Sequence, residues 1–66
     1  MVQINGENEN AAGKVLSDYL AENDYIITGI AIEYNGEILP KAEYANTVLK
    51  DGDVVEIVSF VGGGQW

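Results

Sequence analysis

The sequence predicts a small α+β domain in which a mixed sheet packs on one main helix. Three observations lead there: strand-type alternation at both ends of the chain, a single helical stripe between them, and two Asn-Gly pairs placed where hairpins would turn. At 66 residues there is room for one domain and one small core. The chain has neither Cys nor His, so disulfides and imidazole-bound metals cannot staple it. Its 47% apolar content must hold it together by ordinary packing, which argues against disorder.

Met1 to Asn5 reads as a short strand, with Val2 and Ile4 alternating against Gln3. Asn5-Gly6 is a strong hairpin signal, because a type I′ turn needs positive φ at both central residues and this pair tolerates it. Glu7 to Asn10 then returns as a polar, short edge strand. From Gly13 to Asn23 the period changes: Leu16, Tyr19, Leu20 and Asn23 fall on one stripe of a helix, while Ser17, Asp18 and Glu22 face water. The start of this helix lacks a good capping box. After Asn23-Asp24, strand character resumes, with Ile30, Ile32 and Tyr34 alternating against Ala31 and Glu33. Asn35-Gly36 turns a second hairpin into Glu37 to Leu39, and Pro40 ends the pairing because it has no N–H to donate. Lys41 to Leu49 is a connecting segment carrying Tyr44, Val48 and Leu49, and Asp51-Gly52-Asp53 turns into a last strand from Val54 to Val61. A domain over 1–61 is therefore expected, followed by a flexible glycine tail over 62–66.

Composition narrows the chemistry. Without His or Cys there is no imidazole base and no thiol nucleophile, and no Asp-x-Asp-x-Asp-Gly loop offers a hard-cation site. Neither a catalytic nor a metal site is expected, so the chain reads as a non-enzyme. Eleven acids against three lysines give a formal net charge of −8. Nucleic acid and anionic membranes share that sign and are disfavoured as partners. A basic patch on another protein would suit it, and plain solubility explains the charge equally well. No stretch is long or apolar enough for a signal peptide or a membrane span, so a cytoplasmic location is expected.

One stretch, Ala31-Ile32-Glu33-Tyr34-Asn35-Gly36-Glu37-Ile38-Leu39-Pro40-Lys41, continues through Tyr44, Thr47, Leu49, Gly52-Asp53, Val55-Glu56-Ile57-Val58 and Val61-Gly62-Gly63-Gly64. This series resembles the ubiquitin-like ThiS family, the sulfur carriers of thiamine thiazole biosynthesis. The first half fits more loosely, through Ile4-Asn5-Gly6 and Leu16-Ser17-Asp18-Tyr19-Leu20. The sister carriers serving molybdopterin synthesis tend to carry a Pro-Pro pair shortly before their glycine end, where this chain has Ser59-Phe60-Val61. The resemblance implies a ubiquitin-like β-grasp fold and a carrier that is a co-substrate of partner enzymes. A ubiquitin-activating-type enzyme would adenylate the Gly64 carboxylate with ATP. Sulfur from a persulfide donor would displace AMP, and the resulting thiocarboxylate would serve a thiazole synthase. ATP then belongs to the activating partner, and the chain itself needs no bound cofactor. A carrier for molybdopterin or another sulfur-transfer pathway, or an interaction module with an idle tail, are the competing readings.

The tail residues suit the first role. Gly62 and Gly63 lack a Cβ and can thread a narrow channel, and three extended glycines reach roughly 10 Å from the body. Holding sulfur on a carbonyl also needs no thiol. The last strand adds a second candidate site. With Val55 and Ile57 turned to the core, Val54, Val58 and Phe60 share the other side. Either residues 40–49 cover these three, or they form an apolar partner-binding patch beside an acidic rim. Glu33, Glu37 and Glu56 read as solvated strand positions, and Asp51 and Asp53 as turn formers.

The sequence departs from the family pattern in continuing past Gly64 with Gln65-Trp66. The carboxylate needed for adenylation is then tied up in a peptide bond. Trimming after Gly64, a precursor held inactive, or two residues foreign to the natural chain would each account for this, with trimming the expectation taken forward.

Overall fold

Both Asn-Gly pairs turn hairpins, and the two hairpins flank one central strand. In the computed structural model, which describes residues 1–60, β1 (Val2–Ile4) and β2 (Glu7–Glu9) are joined by Asn5 and Gly6 at φ 52° and 84°. Asn35 and Gly36, at 52° and 89°, join β3 (Ile30–Tyr34) to β4 (Glu37–Leu39). Positive φ at both positions is the I′ signature, and the matching right-handed twist keeps each pair of strands together. The last strand, β5 (Val54–Ser59), lies between the hairpins in a five-stranded sheet of order β2-β1-β5-β3-β4.

The sheet is mixed. β1 runs parallel to β5, with Gln3 opposite Val54 and Ile4 opposite Val55. β3 runs antiparallel to β5 over five pairs, from Ile30 opposite Ser59 to Tyr34 opposite Val55. Both hairpin asparagines also close β5's edges with their side chains. Asn5 Oδ1 accepts the Ile57 N–H at 2.7 Å, and Asn35 Oδ1 accepts the Val54 N–H at 2.8 Å. Each turn thereby supplies an acceptor to a backbone N–H of the central strand.

The helix α1 (Leu16–Glu22) begins three residues later than the sequence pattern places it. The reason is a competing pairing: Gly13 N–H bonds Leu49 C=O at 2.8 Å, Leu49 N–H bonds Lys14 C=O at 2.8 Å, and Val15 bridges Val48. Leu16 N–H then bonds Thr47 C=O at 2.7 Å, so backbone from the connecting segment supports the helix start where a side-chain cap is missing. The other end closes with Asp24 at φ 62°, Asp24 N–H to Ala21 C=O at 3.2 Å and Tyr25 N–H to Leu20 C=O at 2.9 Å. That is a Schellman closure with Asp in the place usually taken by glycine. Two 3₁₀ turns, Ile27–Gly29 and Lys41–Asn46, were not expected from the sequence pattern.

One face of the sheet packs on α1 and the connecting segment. Val2, Ile4, Ile30, Ile32, Val55 and Ile57 meet Leu16, Tyr19, Leu20, Tyr44 and Leu49 in a single core. Each fully buried aliphatic side chain contributes about 1.5–3 kcal/mol. The architecture is the small mixed sheet on one helix expected of a ubiquitin-like β-grasp domain. The ladder of the last strand ends at Ser59, earlier than expected, leaving Phe60 outside it with its N–H on Gly29 C=O at 3.0 Å. Val61, the tail residues Gly62, Gly63 and Gly64, and Gln65-Trp66 lie outside the described residues.

Candidate functional site

β5 presents two faces made of alternate residues. Val55 and Ile57 are buried, while Val54, Glu56 and Val58 point to the other side. Val54, Val58 and Phe60 are 40%, 59% and 56% exposed. Residues 40–49 leave all three exposed: Tyr44 and Leu49 are drawn into the core on the helix side of the sheet, and Lys41 of that segment approaches one of the three, Phe60. Ile38 on β4, 70% exposed, extends the apolar surface and was not among the residues expected there. The signal was present in the alternation of Ile38 with half-buried Leu39, but a three-residue strand gives too little pattern to decide which face is buried.

Register adds what spacing could not. Glu33 stands directly opposite Glu56, and Ile38 stands opposite Glu33 on its other side. Both glutamates are exposed, as expected, but their being neighbours depends on pairing between strands about twenty residues apart. Phe60 has the Lys41 ammonium 5.8 Å from its ring centroid, and that ammonium also donates to Ile30 C=O at 2.7 Å.

The turn into β5 is fixed by a polar cluster around Asp53, which is only 6% exposed. Its carboxylate accepts hydrogen bonds from the Tyr34 hydroxyl, from Lys50 N–H at 2.8 Å and from Asn35 Nδ2 at 3.2 Å. Burial alone would raise the Asp53 pKa; these hydrogen bonds and the Lys50 charge outweigh it and hold the carboxyl below its ordinary value. Burial, followed by the bond to Asp53, raises the Tyr34 phenol. Asp53 is thus more than the turn former expected: it anchors the start of β5 to the second hairpin.

Other chemistry is sparse. A cavity of about 120 Å³ beside the end of β5 is lined by Asp24, Tyr25, Ile26, Gly29, Ile30 and Ser59. Ligand pockets of enzymes run to roughly 300–1,000 Å³. Among the described residues no group of three or more acidic side chains could hold a metal ion, and no helix is long and apolar enough to cross a membrane.

The family model described as "ThiS family" matches residues 2–64. The chain belongs to the ThiS family. A "Sulfur carrier protein ThiS" from Thermus thermophilus is 39% identical over 64 residues, covering 97% of this chain and 100% of that protein. A crystal structure of the thiamine biosynthesis protein ThiS from Geobacter metallireducens superposes with a TM-score of 0.73 at 30% identity, covering 96% of this chain and 97% of that one. A "Thiazole synthase" from Paramagnetospirillum magneticum is 44% identical over 63 residues, which is 94% of this chain and 19% of that protein. The chain therefore spans the whole of the Thermus thermophilus carrier but about a fifth of the thiazole synthases that it matches. The Thermus thermophilus and Bacillus subtilis relatives that it spans in full are named sulfur carrier proteins, in agreement with the expectation of a non-enzyme.

Proposed function

We propose that this ThiS-family chain carries sulfur for thiamine biosynthesis on the carboxyl carbon of Gly64. The observation that carries the reading is where the family match stops: it runs through the β-grasp body and the glycines to residue 64, and no further. Gly62 and Gly63 are the thread. Val54, Val58 and Phe60 form the surface that docks on the enzymes while the tail enters their active sites.

The chemistry follows from the groups available. The Gly64 carboxylate attacks the α-phosphorus of ATP in the adenylating partner and releases pyrophosphate. A persulfide's outer sulfur attacks the acyl carbon and AMP leaves, giving an acyl disulfide. A thiol then attacks the donor-side sulfur of that S–S bond, which frees the thiocarboxylate and leaves the donor and the thiol joined as a disulfide. A carboxylate is a poor acyl donor, and adenylation makes it a good one. The small body contributes position and the glycines contribute reach. Thiazole synthase is the acceptor on this reading, favoured over a molybdopterin partner because matching domains occur within proteins of that name. ATP-driven loading sets the carrier in the cytoplasm.

The same chemistry requires a free carboxylate at Gly64, so Gln65-Trp66 must be removed before loading. Intact-mass measurement after incubation with ATP, a sulfur donor and the adenylating enzyme checks this. The exchange of one oxygen for sulfur is expected on chains ending at Gly64 and on no chain that retains Gln65-Trp66. A thiocarboxylate on the full-length chain would refute the requirement for processing, and none on either chain would refute the carrier reading.

A further inference from the structure

The outer face of the sheet is an unpartnered apolar surface with two like charges at its centre. Glu33 and Glu56 are direct cross-strand partners. Val54 and Val58 flank Glu56 along β5, and Ile38 flanks Glu33 across β4. Like charges directly opposite one another destabilise a sheet, so this arrangement works against the fold that contains it. None of the three lysines relieves it. Lys14 pairs with Glu22 at 2.6 Å, Lys50 lies with Tyr34 and Asp53, and Lys41 is held by Ile30 C=O beneath Phe60. Among the described residues no ion pair reaches Glu33 or Glu56.

We infer that this face receives an arginine side chain of a partner protein, its guanidinium bridging Glu33 and Glu56 while apolar partner residues cover Val54, Val58 and Ile38. The inference rests on the docking surface proposed above and specifies what the partner must present there. Charge decides the occupant. A second copy of this chain would bring another acidic pair against the first, on a body of net charge −8. A guanidinium suits the geometry better than an ammonium, because its planar fork donates to two carboxylates at once, and facing strand positions place their Cβ atoms about 4.5–5.5 Å apart. The apolar frame excludes water around the bridge, which strengthens it.

The test is calorimetric titration of the full chain into a ubiquitin-activating-type adenylating enzyme and a thiazole synthase from the same genome, at low and high salt. The variants are E33Q/E56Q, which keeps shape and removes charge, and Val58→Asp, which disrupts the apolar frame. E33Q/E56Q is expected to weaken binding at least about tenfold and to flatten its salt dependence. The same variant should melt roughly 2–4 °C higher than the parent, since the like-charge pair is gone. Wild-type affinity and salt slope in E33Q/E56Q, with binding lost only in Val58→Asp, overturn the arginine seat and leave the docking surface standing. No binding by the parent chain to either enzyme, or no effect of either variant, overturns both. Sedimentation showing a dimer that Val58→Asp dissociates would overturn the inference in favour of self-association.

Discussion

The two faces of β5 come from the same six residues and do opposite things. Val55 and Ile57 point into the core, where they meet side chains from α1 and the connecting segment. Val54, Glu56 and Val58, one step out of phase, point to solvent beside Glu33, a like charge that disfavours the sheet. The inner face packs, and the outer face is where we place the partner. A one-residue slip of register would exchange them, so the contacts that pin β5 between its two hairpins also keep Val54 and Val58 outward.

Substitutions along this strand and its anchors separate the two roles. Ile57→Ala removes inner-face packing and should cost about 2–5 kcal/mol, measured by urea unfolding. In so small a domain that is enough to unfold much of the population at ambient temperature. Asp53→Ala leaves the Tyr34 hydroxyl, Lys50 N–H and Asn35 amide without their acceptor and should cost about 1–3 kcal/mol. This effect depends on pH in a definite direction. The native carboxyl titrates below its ordinary value of 3.8, so its stabilisation is complete above that value and disappears as pH falls through the lower native pKa. Melting curves of the parent and Asp53→Asn should therefore converge in strong acid and separate toward neutrality. Equal separation at all pH values would mean that the charge contributes nothing.

Asn5→Ala should cost about 1–2 kcal/mol, from a positive φ forced on a residue with a Cβ and from the Ile57 N–H left without its side-chain acceptor. Val58→Ser, on the outer face, should leave stability within about 0.5 kcal/mol of the parent. A large loss there would show that the outer face also holds the fold together.

Much of this was legible in the residues. Asn5-Gly6 and Asn35-Gly36 announce their turns because few pairs accept two successive positive φ values. Leu16, Tyr19 and Leu20 announce the buried helix face. The start of that helix was misplaced because Gly13 to Val15 pair with residues distant in sequence, and local periodicity carries no trace of a tertiary competitor. The Lys41–Asn46 turn was missed for a related reason, since a 3₁₀ segment has no long apolar period to detect. Val54 and Val58 could be assigned to the outward side by counting twos, a count that stops at Ser59, where the ladder ends before Phe60. The opposition of Glu33 and Glu56 required the register of two strands that meet only in the folded chain. Gly64 came from the ordered resemblance, since a glycine run alone does not distinguish a reactive end from an idle one.

The most direct test follows thiocarboxylate yield and melting temperature together, in chains ending at Gly64 with and without Phe60→Asp, at limiting adenylating enzyme. If the outer side of β5 docks the enzyme and the inner side holds the fold, the variant melts cooperatively near the parent and loses most of its loading. Loading equal to the parent's, or a loss of loading that merely tracks unfolding, would contradict that division.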